Sequence, residues 1–168
     1  MTTLPASTTD PQVLEFLNLW GLTDPVYLDY VDMGEGYAPN FCHVSAKHVA
    51  AKHGGRRIHG WALWQFGEGS ATLIVADFHS VWEKPDGTIV DVTPPKFGSR
   101  VLFVPDPSLA IGRIGKAQQL HNNRTNFAQA PRLRDGNEIH EEYFGIPDDQ
   151  ASLVQYCKRL GLPDTSME

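Results

Sequence analysis

Residues 72–82 have the sequence TLIVADFHSVW, a run rich in β-branched and aromatic residues. This composition is typical of a β-strand. Because successive side chains on a strand point to opposite faces, Phe78, Ser80 and Trp82 share one face and His79 lies on the other. The strand therefore separates a bulky face, suited to packing, from a face that presents an imidazole.

Three other β-forming runs lie close to this strand in the sequence. They are residues 57–66, 88–93 and 101–104. The connections between the runs contain Gly, Asp or Pro, and short turns of this kind join antiparallel neighbours. The sequence therefore predicts an antiparallel meander built around residues 72–82.

Helical segments flank the predicted sheet. The first begins after Asp10 and ends before Gly21, the second begins with Asn40 as its N-cap and continues to His53, and a third spans residues 151–160. Asp and Asn side chains accept hydrogen bonds from the free N–H groups of a first helical turn, and glycine ends helices readily. If Asn40 is the cap, a cysteine two residues later lies in the first turn.

The chain has 168 residues, and we treat residues 1–168 as a single domain with a flexible segment at residues 1–9. Hydrophobic residues make up 41% of the chain, enough to bury a core. Residues 108–134 are expected to form a helical or loop stretch. We therefore expect an α+β fold, with N-terminal helices packed on an antiparallel β-sheet.

The charge of the chain argues against two classes of partner. The net charge is -6 and the basic residues are dispersed, so neither nucleic acid nor an anionic membrane is an expected partner. No apolar run approaches the roughly 18 residues that a membrane-spanning helix needs, and the N-terminal residues lack the features of a secretory signal. We therefore expect a cytoplasmic protein in which Cys42 and Cys157 are reduced thiols.

Cys42, His79 and Asp91 have the side chains that a nucleophilic thiol site requires. A cysteine in the first turn of a helix has its pKa lowered by the free backbone N–H groups and the helix dipole. A nearby imidazole accepts the thiol proton, and a carboxylate behind the imidazole holds the ring in its orientation. Backbone N–H groups near Cys42, assisted by Asn40, would stabilise an oxyanion.

The sequence separation of the histidine and the aspartate supports their pairing. A turn centred on residues 85–87 places His79 diagonal to Asp91 on the neighbouring strand. A register shift of one residue would turn the carboxylate to the other face. Asp77 and Asp86 are the competing carboxylates, and Asp86 is more simply a turn residue.

A resemblance to transglutaminase-like proteins is carried by HSVWE at residues 79–83 and DGTIVDVTP at residues 86–94. In those proteins a catalytic histidine on one strand is followed by a turn and then by an aspartate just before a Thr-Pro or Pro-Thr pair. The resemblance covers residues 37–104. It implies a papain-like or transglutaminase-like α+β fold, in which a cysteine at the start of a helix packs on an antiparallel sheet.

The same resemblance implies a role for each site residue. Cys42 would be the nucleophile, His79 the general base and acid, and Asp91 the orienting carboxylate. Proteins of this group usually have a tryptophan beside the cysteine, whereas this chain has Phe41 before it and His43 after it.

These observations predict a thiol-dependent acyl-transfer enzyme that acts on an amide bond through a Cys-His-Asp triad. Water as the acceptor would make it a peptidase, deamidase or amidase, and an amine acceptor would make it a transglutaminase-type transferase. The expected substrate is a protein, a peptide or a small amide, and no cofactor or metal is required. Trp61 and Trp82 are expected to contribute to substrate binding, since a groove tryptophan can stack on a substrate chain.

Two alternatives stay open at this point. One is a non-catalytic protein-interaction module of the same fold, with a tryptophan-lined surface and a packed cysteine. The other is a metal-dependent hydrolase that uses the histidines clustered near Cys42. His48 and His53 are five residues apart rather than four, which is not the spacing that helical zinc ligands prefer.

Overall fold

The computed structural model describes residues 3–67, 72–114, 119–122, 132–134, 137–139 and 147–163. In these ranges it shows a mixed α/β protein with an antiparallel sheet and three helices. The helices are α1 (Pro11–Trp20), α2 (Cys42–His53) and α3 (Pro147–Arg159). The strands are β1 (Thr3–Pro5), β2 (Val26–Asp29), β3 (Arg56–Phe66), β4 (Leu73–Glu83), β5 (Ile89–Val90), β6 (Arg100–Pro105), β7 (Ile111–Ile114), β8 (Gln119–Asn122), β9 (Arg132–Arg134) and β10 (Asn137–Ile139).

The long hairpin of β3 and β4 forms the centre of the main sheet. Its antiparallel pairing runs from Arg56 opposite Glu83 to Phe66 opposite Leu73. Both strands were expected from their composition. The strand β3 begins one residue before the predicted run of residues 57–66, and β4 is shifted by one residue from the predicted run of residues 72–82. Because β4 is held along its full length, the orientation of every side chain on it is fixed by the pleat.

The predicted register of the next hairpin is confirmed. Trp82 pairs with Val90 and Glu83 with Ile89, as a turn centred on residues 85–87 requires. The strand β5 is shorter than the predicted run of residues 88–93, because the chain leaves β4 after Val90.

Asp91 follows directly after β5 and is held from the other side. Its carbonyl oxygen accepts a hydrogen bond from the N–H of Val31 at 2.8 Å. It also forms an isolated parallel bridge with Tyr30, just beyond β2. The backbone of Asp91 is therefore held by β5, which precedes it, and by its contacts with Tyr30 and Val31.

The prediction of a simple meander is wrong for β6. This strand pairs with β3 and with β2, so the order across the sheet is β10-β9-β4-β3-β6-β2. Its residues 101–104 are all buried. A strand that is apolar on both faces is suited to the interior of a sheet rather than to an edge, which explains its place between two partners.

One edge of β4 is open in its middle. On this edge β9 pairs with Ile74 and Val75, and β5 pairs with Trp82 and Glu83. Within the described residues, no strand pairs with this edge between residues 76 and 81. The first turn of α2 contacts β4 at this opening, since His43 hydrogen-bonds to Ser80 there. The opening lets a helix terminus approach the centre of the sheet.

Three apolar clusters stabilise the fold. Strand alternation places the first two on opposite faces of the sheet. The first packs α1 onto one face and contains Val13, Phe16, Leu17, Trp61, Leu63, Ile74, Ala76, Leu102 and Val104. The second lies on the other face and contains Leu28, Ala62, Trp64, Val81, Val101 and Phe103. The third joins α2 and α3 to the end of β4 and contains Tyr37, Val44, Val49, Trp82, Val92, Leu153, Tyr156 and Cys157.

The ends of α1 agree with the sequence prediction. The side chain of Asp10 accepts a hydrogen bond from the N–H of Gln12 at 2.8 Å, and Gly21 ends the helix in the left-handed region with a φ of 63°. A left-handed residue is most easily a glycine, because it has no Cβ to clash with the backbone.

Two segments differ from expectation. Residues 3–5 were expected to be flexible but form β1, which pairs with the end of β3. Residues 108–134 were expected to be helical or loop, yet the described parts of this stretch contain β7, β8 and β9. Pairing partners far along the chain, which sequence patterns do not show, stabilise β1 and β9.

In the described part of the chain, no helix has both the length and the apolar character that crossing a membrane requires.

Gly60 leads to a first testable prediction, because it lies where β3 and β6 approach closely. A Cβ atom there would come within 2.2 Å of the Val104 carbonyl oxygen and 2.5 Å of the Phe103 ring. We expect Gly60→Ala to lower the free energy of unfolding by about 1–3 kcal/mol, the usual range for overpacking. Urea unfolding measures this change, and a variant as stable as the parent protein would contradict it.

Candidate active site

Cys42 is the first residue of α2, and the helix points its N-terminus into the protein. Residues 42–46 are all buried. The N–H groups of Val44 and Ser45 bond to the carbonyl oxygen of Phe41. The N–H groups at the start of a helix have no intrahelical acceptor, so those of Cys42 and His43 are available to an oxyanion or to a thiolate.

Asn40 does not cap this helix, so that part of the prediction is wrong. The N-cap is Phe41, and no side-chain hydrogen bond closes the cap. Asn40 instead has a positive φ of 69°, a conformation that asparagine tolerates better than most residues. It lines the cavity at the thiol, although its predicted capping role is lost.

The structure brings His79 and Asp91 together, as the hairpin register indicates. His79 Nε2 lies 2.8 Å from Asp91 Oδ2. The second carboxylate oxygen, Oδ1, accepts a hydrogen bond from the N–H of Thr93 at 2.9 Å. Since both oxygens are held, the carboxylate fixes the imidazole and leaves Nδ1 as the ring nitrogen for the thiol.

His43 and His79 determine the charge state of the thiol. Burial alone would raise the pKa of Cys42, but the nearby imidazoles of His43 and His79 and their hydrogen bonds to sulfur lower that pKa well below its usual value. Burial disfavours a charged His79, yet Asp91 and the Cys42 sulfur raise the pKa of the imidazole well above its usual value. The favoured state is a thiolate next to an imidazolium.

A cavity of about 160 Å³ opens at the thiol. It is smaller than the roughly 300–1,000 Å³ of pockets that enclose a whole drug-sized ligand. Its wall combines the three predicted site residues with apolar, aromatic and charged groups: Asn40, Cys42, His43, Ala62, Trp64, Asp77, Phe78, His79, Asp91, Thr93, Pro94, Pro95, Lys96 and Val101. A space of this size fits one side chain or a small acyl group.

The two tryptophans predicted for substrate binding lie elsewhere. Trp61 is fully buried in the cluster with α1, and its indole N–H donates to Asp106 at 3.0 Å. Trp82 is also buried, and its indole N–H donates to the carbonyl oxygen of Gly54 at 2.9 Å. The tryptophan of the cavity wall is Trp64, which has the opposite strand parity to Trp61.

Sequence reasoning considered His43 and His59 only as members of a possible metal site and gave Ser80 no role. Ser80 is fully buried and its hydroxyl lies 2.6 Å from His43 Nδ1 and 2.7 Å from His59 Nδ1. The available signal was strand pairing, since Ser80 lies opposite His59 in the β3–β4 hairpin. Its alternation also places it on the face that a helix covers, where a buried hydroxyl requires partners.

The helix start is held by a residue far along the chain. The Tyr156 ring stacks on Phe41 with centroids 4.4 Å apart. Its hydroxyl lies 2.9 Å from Ser45 Oγ and accepts a hydrogen bond from the N–H of Ala38 at 3.2 Å. The helix α3 therefore fixes the chain on both sides of Cys42.

His48 and His53 have separate partners. His48 Nδ1 lies 2.7 Å from the Tyr37 hydroxyl, while the ring of His53 lies 6.0 Å from Trp82 between centroids. Among the residues for which the structure gives positions, no group of three or more His, Cys, Asp or Glu side chains is arranged to hold a metal ion. Metal ligation by these histidines therefore has no geometric support.

No protein-family model, curated protein or solved structure matches this chain.

Proposed function

We propose that this protein is a thiol-dependent acyl-transfer enzyme, of transglutaminase-like or papain-like type, that acts on an amide bond. The observation that carries the proposal is the 2.8 Å hydrogen bond between His79 Nε2 and Asp91 Oδ2, behind a thiol at the start of a buried helix. Each group has a partner that suits its role in such a reaction.

In the first half of the reaction, the Cys42 thiolate attacks the amide carbonyl carbon and a C–S bond forms. The electron pair of the C=O bond moves to oxygen, where the N–H groups at the start of α2 stabilise the charge. When this intermediate collapses, the C–N bond breaks. His79 gives its Nδ1 proton to the leaving amine, and an acyl thioester remains on Cys42.

In the second half, neutral His79 takes a proton from water or from an acceptor amine. The oxygen or nitrogen attacks the thioester carbon, the C–S bond breaks, and the thiolate and imidazolium are restored. Asp91 stabilises the imidazolium of the free enzyme, before the reaction and when it is restored, without accepting its proton. Hydrolysis and transfer differ only in the acceptor.

The cavity suggests the substrate class. A protein or peptide side chain that ends in an amide, or a small free amide, fits about 160 Å³. Asp77 and Lys96 lie on the cavity wall, with Asp77 Oδ2 3.4 Å from Lys96 Nζ. A hydrogen-bond donor of the substrate can therefore bind the carboxylate, and an acceptor can bind the ammonium group. No cofactor takes part in this chemistry, and nucleic acid and membranes are not among the proposed partners.

We propose the cytoplasm as the location, because the reaction needs a reduced cysteine. Cys42 and Cys157 are both free thiols in the structure. A reducing compartment keeps such thiols available for catalysis.

The pH dependence of thiol alkylation provides the test. Thiolate is present above the lowered pKa of Cys42, so iodoacetamide should react with Cys42 at pH 6 nearly as fast as at pH 8. The rate is read residue by residue by mass spectrometry on Cys157→Ala protein, which leaves one thiol. A rate that climbs tenfold per pH unit up to about 8.5, as for a free cysteine, would contradict the proposal.

Activity is then measured directly. A panel of glutamine- and asparagine-containing peptides and small amides should yield ammonia or amine with the parent protein and none with Cys42→Ser. Full product release by Cys42→Ser would overturn the thiol mechanism. It would also favour the metal-dependent hydrolase, because any turnover excludes the non-catalytic module.

A further inference from the structure

Two opposite charges, those of Asp77 and Lys96, lie side by side on the wall of the cavity at the thiol. Lys96 Nζ is 3.4 Å from Asp77 Oδ2, and 46% of the lysine side chain and 30% of the aspartate side chain are exposed. An ion pair this exposed contributes little to stability, because water solvates both charges when they separate. Both charges are therefore accessible to a ligand in the cavity.

The strand β4 fixes the carboxylate in relation to the catalytic pair. Asp77 lies two residues before His79 on the same face, so their Cα atoms are about 7 Å apart. The hairpin holds both residues, since Asp77 pairs with Ala62 and His79 pairs with Gly60. A ligand bound to Asp77 therefore needs only a short chain to reach the imidazole and the thiol.

The loop that carries Lys96 is held at both ends. At its start, the N–H of Thr93 donates to the carboxylate of Asp91 at 2.9 Å. Two prolines follow, and the ring of each one fixes its φ. Directly after Lys96, the ring of Phe97 packs edge-on against Trp64 with centroids 5.5 Å apart. The backbone of this loop therefore keeps Lys96 at the cavity wall.

The wall next to the charges is apolar. Ala62 lies directly opposite Asp77 in the hairpin and also lines the cavity, together with Trp64 and Val101. The methyl side chain of Ala62 leaves room that a larger side chain would fill. A short aliphatic chain that enters the cavity can bury its methylene groups against these residues.

We propose that Asp77 and Lys96 bind the α-ammonium and α-carboxylate groups of a free amino acid whose side-chain amide is attacked by Cys42. The proposal rests on the proposed function and narrows its substrate class to short amino-acid amides such as glutamine and asparagine. Water completes the reaction: the C–N bond breaks, ammonia leaves, and the side chain becomes a carboxylate.

The spacing of the charges favours a zwitterion over other small amides. In an α-amino acid the ammonium nitrogen and the carboxylate carbon are bonded to the same carbon atom and lie about 2.5 Å apart. They can lie antiparallel to the charges of Asp77 and Lys96, so that each charge meets its opposite. A ligand with one charge is attracted by one residue and repelled by the other. A glutamine inside a peptide has neither charge on its α-carbon.

A matched series of amides tests the recognition of each charge. For glutamine, γ-aminobutyramide lacks the carboxylate, glutaramic acid lacks the ammonium group, and butanamide lacks both. For asparagine, the corresponding compounds are β-alaninamide, succinamic acid and propanamide. Release of ammonia by the parent protein should have a kcat/KM at least about tenfold higher for the better of the two amino acids than for its analogues, because hydrogen bonds between charged groups are strong.

The same assay separates this inference from the proposed function. A glutamine or asparagine inside a blocked peptide should react at least about tenfold more slowly than the free amino acid. If the blocked peptide reacts as fast, the proposed function stands and this inference fails.

Neutral variants assign each residue to one charge of the substrate. Asp77→Asn should lower kcat/KM for the amino acid about tenfold and abolish its advantage over the analogue without the ammonium group. Lys96→Gln should do the same for the analogue without the carboxylate. The controls Glu83→Gln and Arg56→Gln break an exposed ion pair that is not on the cavity wall, and they should keep the parental selectivity. Full selectivity in Asp77→Asn and Lys96→Gln would show a surface ion pair only and would overturn the proposal.

A binding measurement on the parent protein requires no turnover. L-norvaline has both charges and a propyl side chain without an amide, so it should slow the alkylation of Cys42 by iodoacetamide. Butylamine and pentanoate, which each lack one charge, should not slow it at the same concentration. Equal protection by all three compounds, or by none, would overturn the inference. Protection by norvaline alone, in a protein that releases ammonia from no amide, would support the zwitterion site and overturn the proposed function.

Discussion

The His79→Gln variant is expected to alkylate at Cys42 at least about tenfold more slowly than the parent protein at pH 6. His43 and the His79 imidazolium together lower the pKa of the thiol. Without His79 the pKa rises toward the roughly 8.5 of a free cysteine, and a smaller fraction of Cys42 is ionised at pH 6. Glutamine keeps the hydrogen-bonding capacity but cannot take up the charge.

The rate is measured over pH 5 to 10 with His48→Gln as the control. His48 belongs to the same helix but is bonded to Tyr37 and not to the thiol. The control should follow the parental profile, while His79→Gln should regain the parental rate only near pH 9. If the pH profile of His79→Gln coincides with that of His48→Gln, His79 does not ionise the thiol and cannot be the base of the proposed mechanism.

Replacing Trp61 with alanine is expected to lower the free energy of unfolding by about 3–5 kcal/mol, the usual cost of removing a buried aromatic ring. Trp61 has no exposed surface. Its ring lies 5.2 Å from Trp20, 6.3 Å from Phe16 and 6.1 Å from Phe78 between centroids. The loss therefore leaves a cavity between α1 and the sheet.

Urea unfolding measures this loss, with Trp61→Phe as the control. Phenylalanine keeps most of the ring but lacks the N–H that donates to Asp106 at 3.0 Å. We expect it to cost about 1–3 kcal/mol, the range for a buried acceptor that loses its donor. An alanine variant no less stable than the phenylalanine variant would show that the packing around Trp61 contributes little.

The hairpin of β4 and β5 and its register could be predicted because local rules decide them. Alternation fixes the faces of β4, and the Pro85-Asp86-Gly87 turn fixes which residues of β4 and β5 are paired. The contact of His79 with Asp91 was predicted from those two rules, and the pairing of Asp91 with residues 30 and 31 adds to them. The position of Cys42 in the first turn of α2 was predicted as well, although its N-cap is Phe41 rather than Asn40.

The parts that sequence did not predict depend on contacts between distant segments. The place of β6 beside β3 depends on burial of both its faces, which a pairing rule for neighbours cannot show. The burial of Trp82 depends on α3, which packs into the same cluster. His43 could be placed beside Ser80 only once the open edge of β4 was known, because the helix start enters there.

The contact between Tyr156 and the start of α2 has a consequence for the protein while it is being made. Cys42 leaves the ribosome long before Tyr156, which stacks on Phe41 and bonds to Ser45. Until α3 has been synthesised, the first turn of α2 lacks this support, and the cysteine of a nascent chain is expected to react as an ordinary thiol. If Cys42 is the nucleophile proposed above, it is expected to gain its full reactivity only after α3 has been synthesised, which would spare an unfinished chain premature acylation.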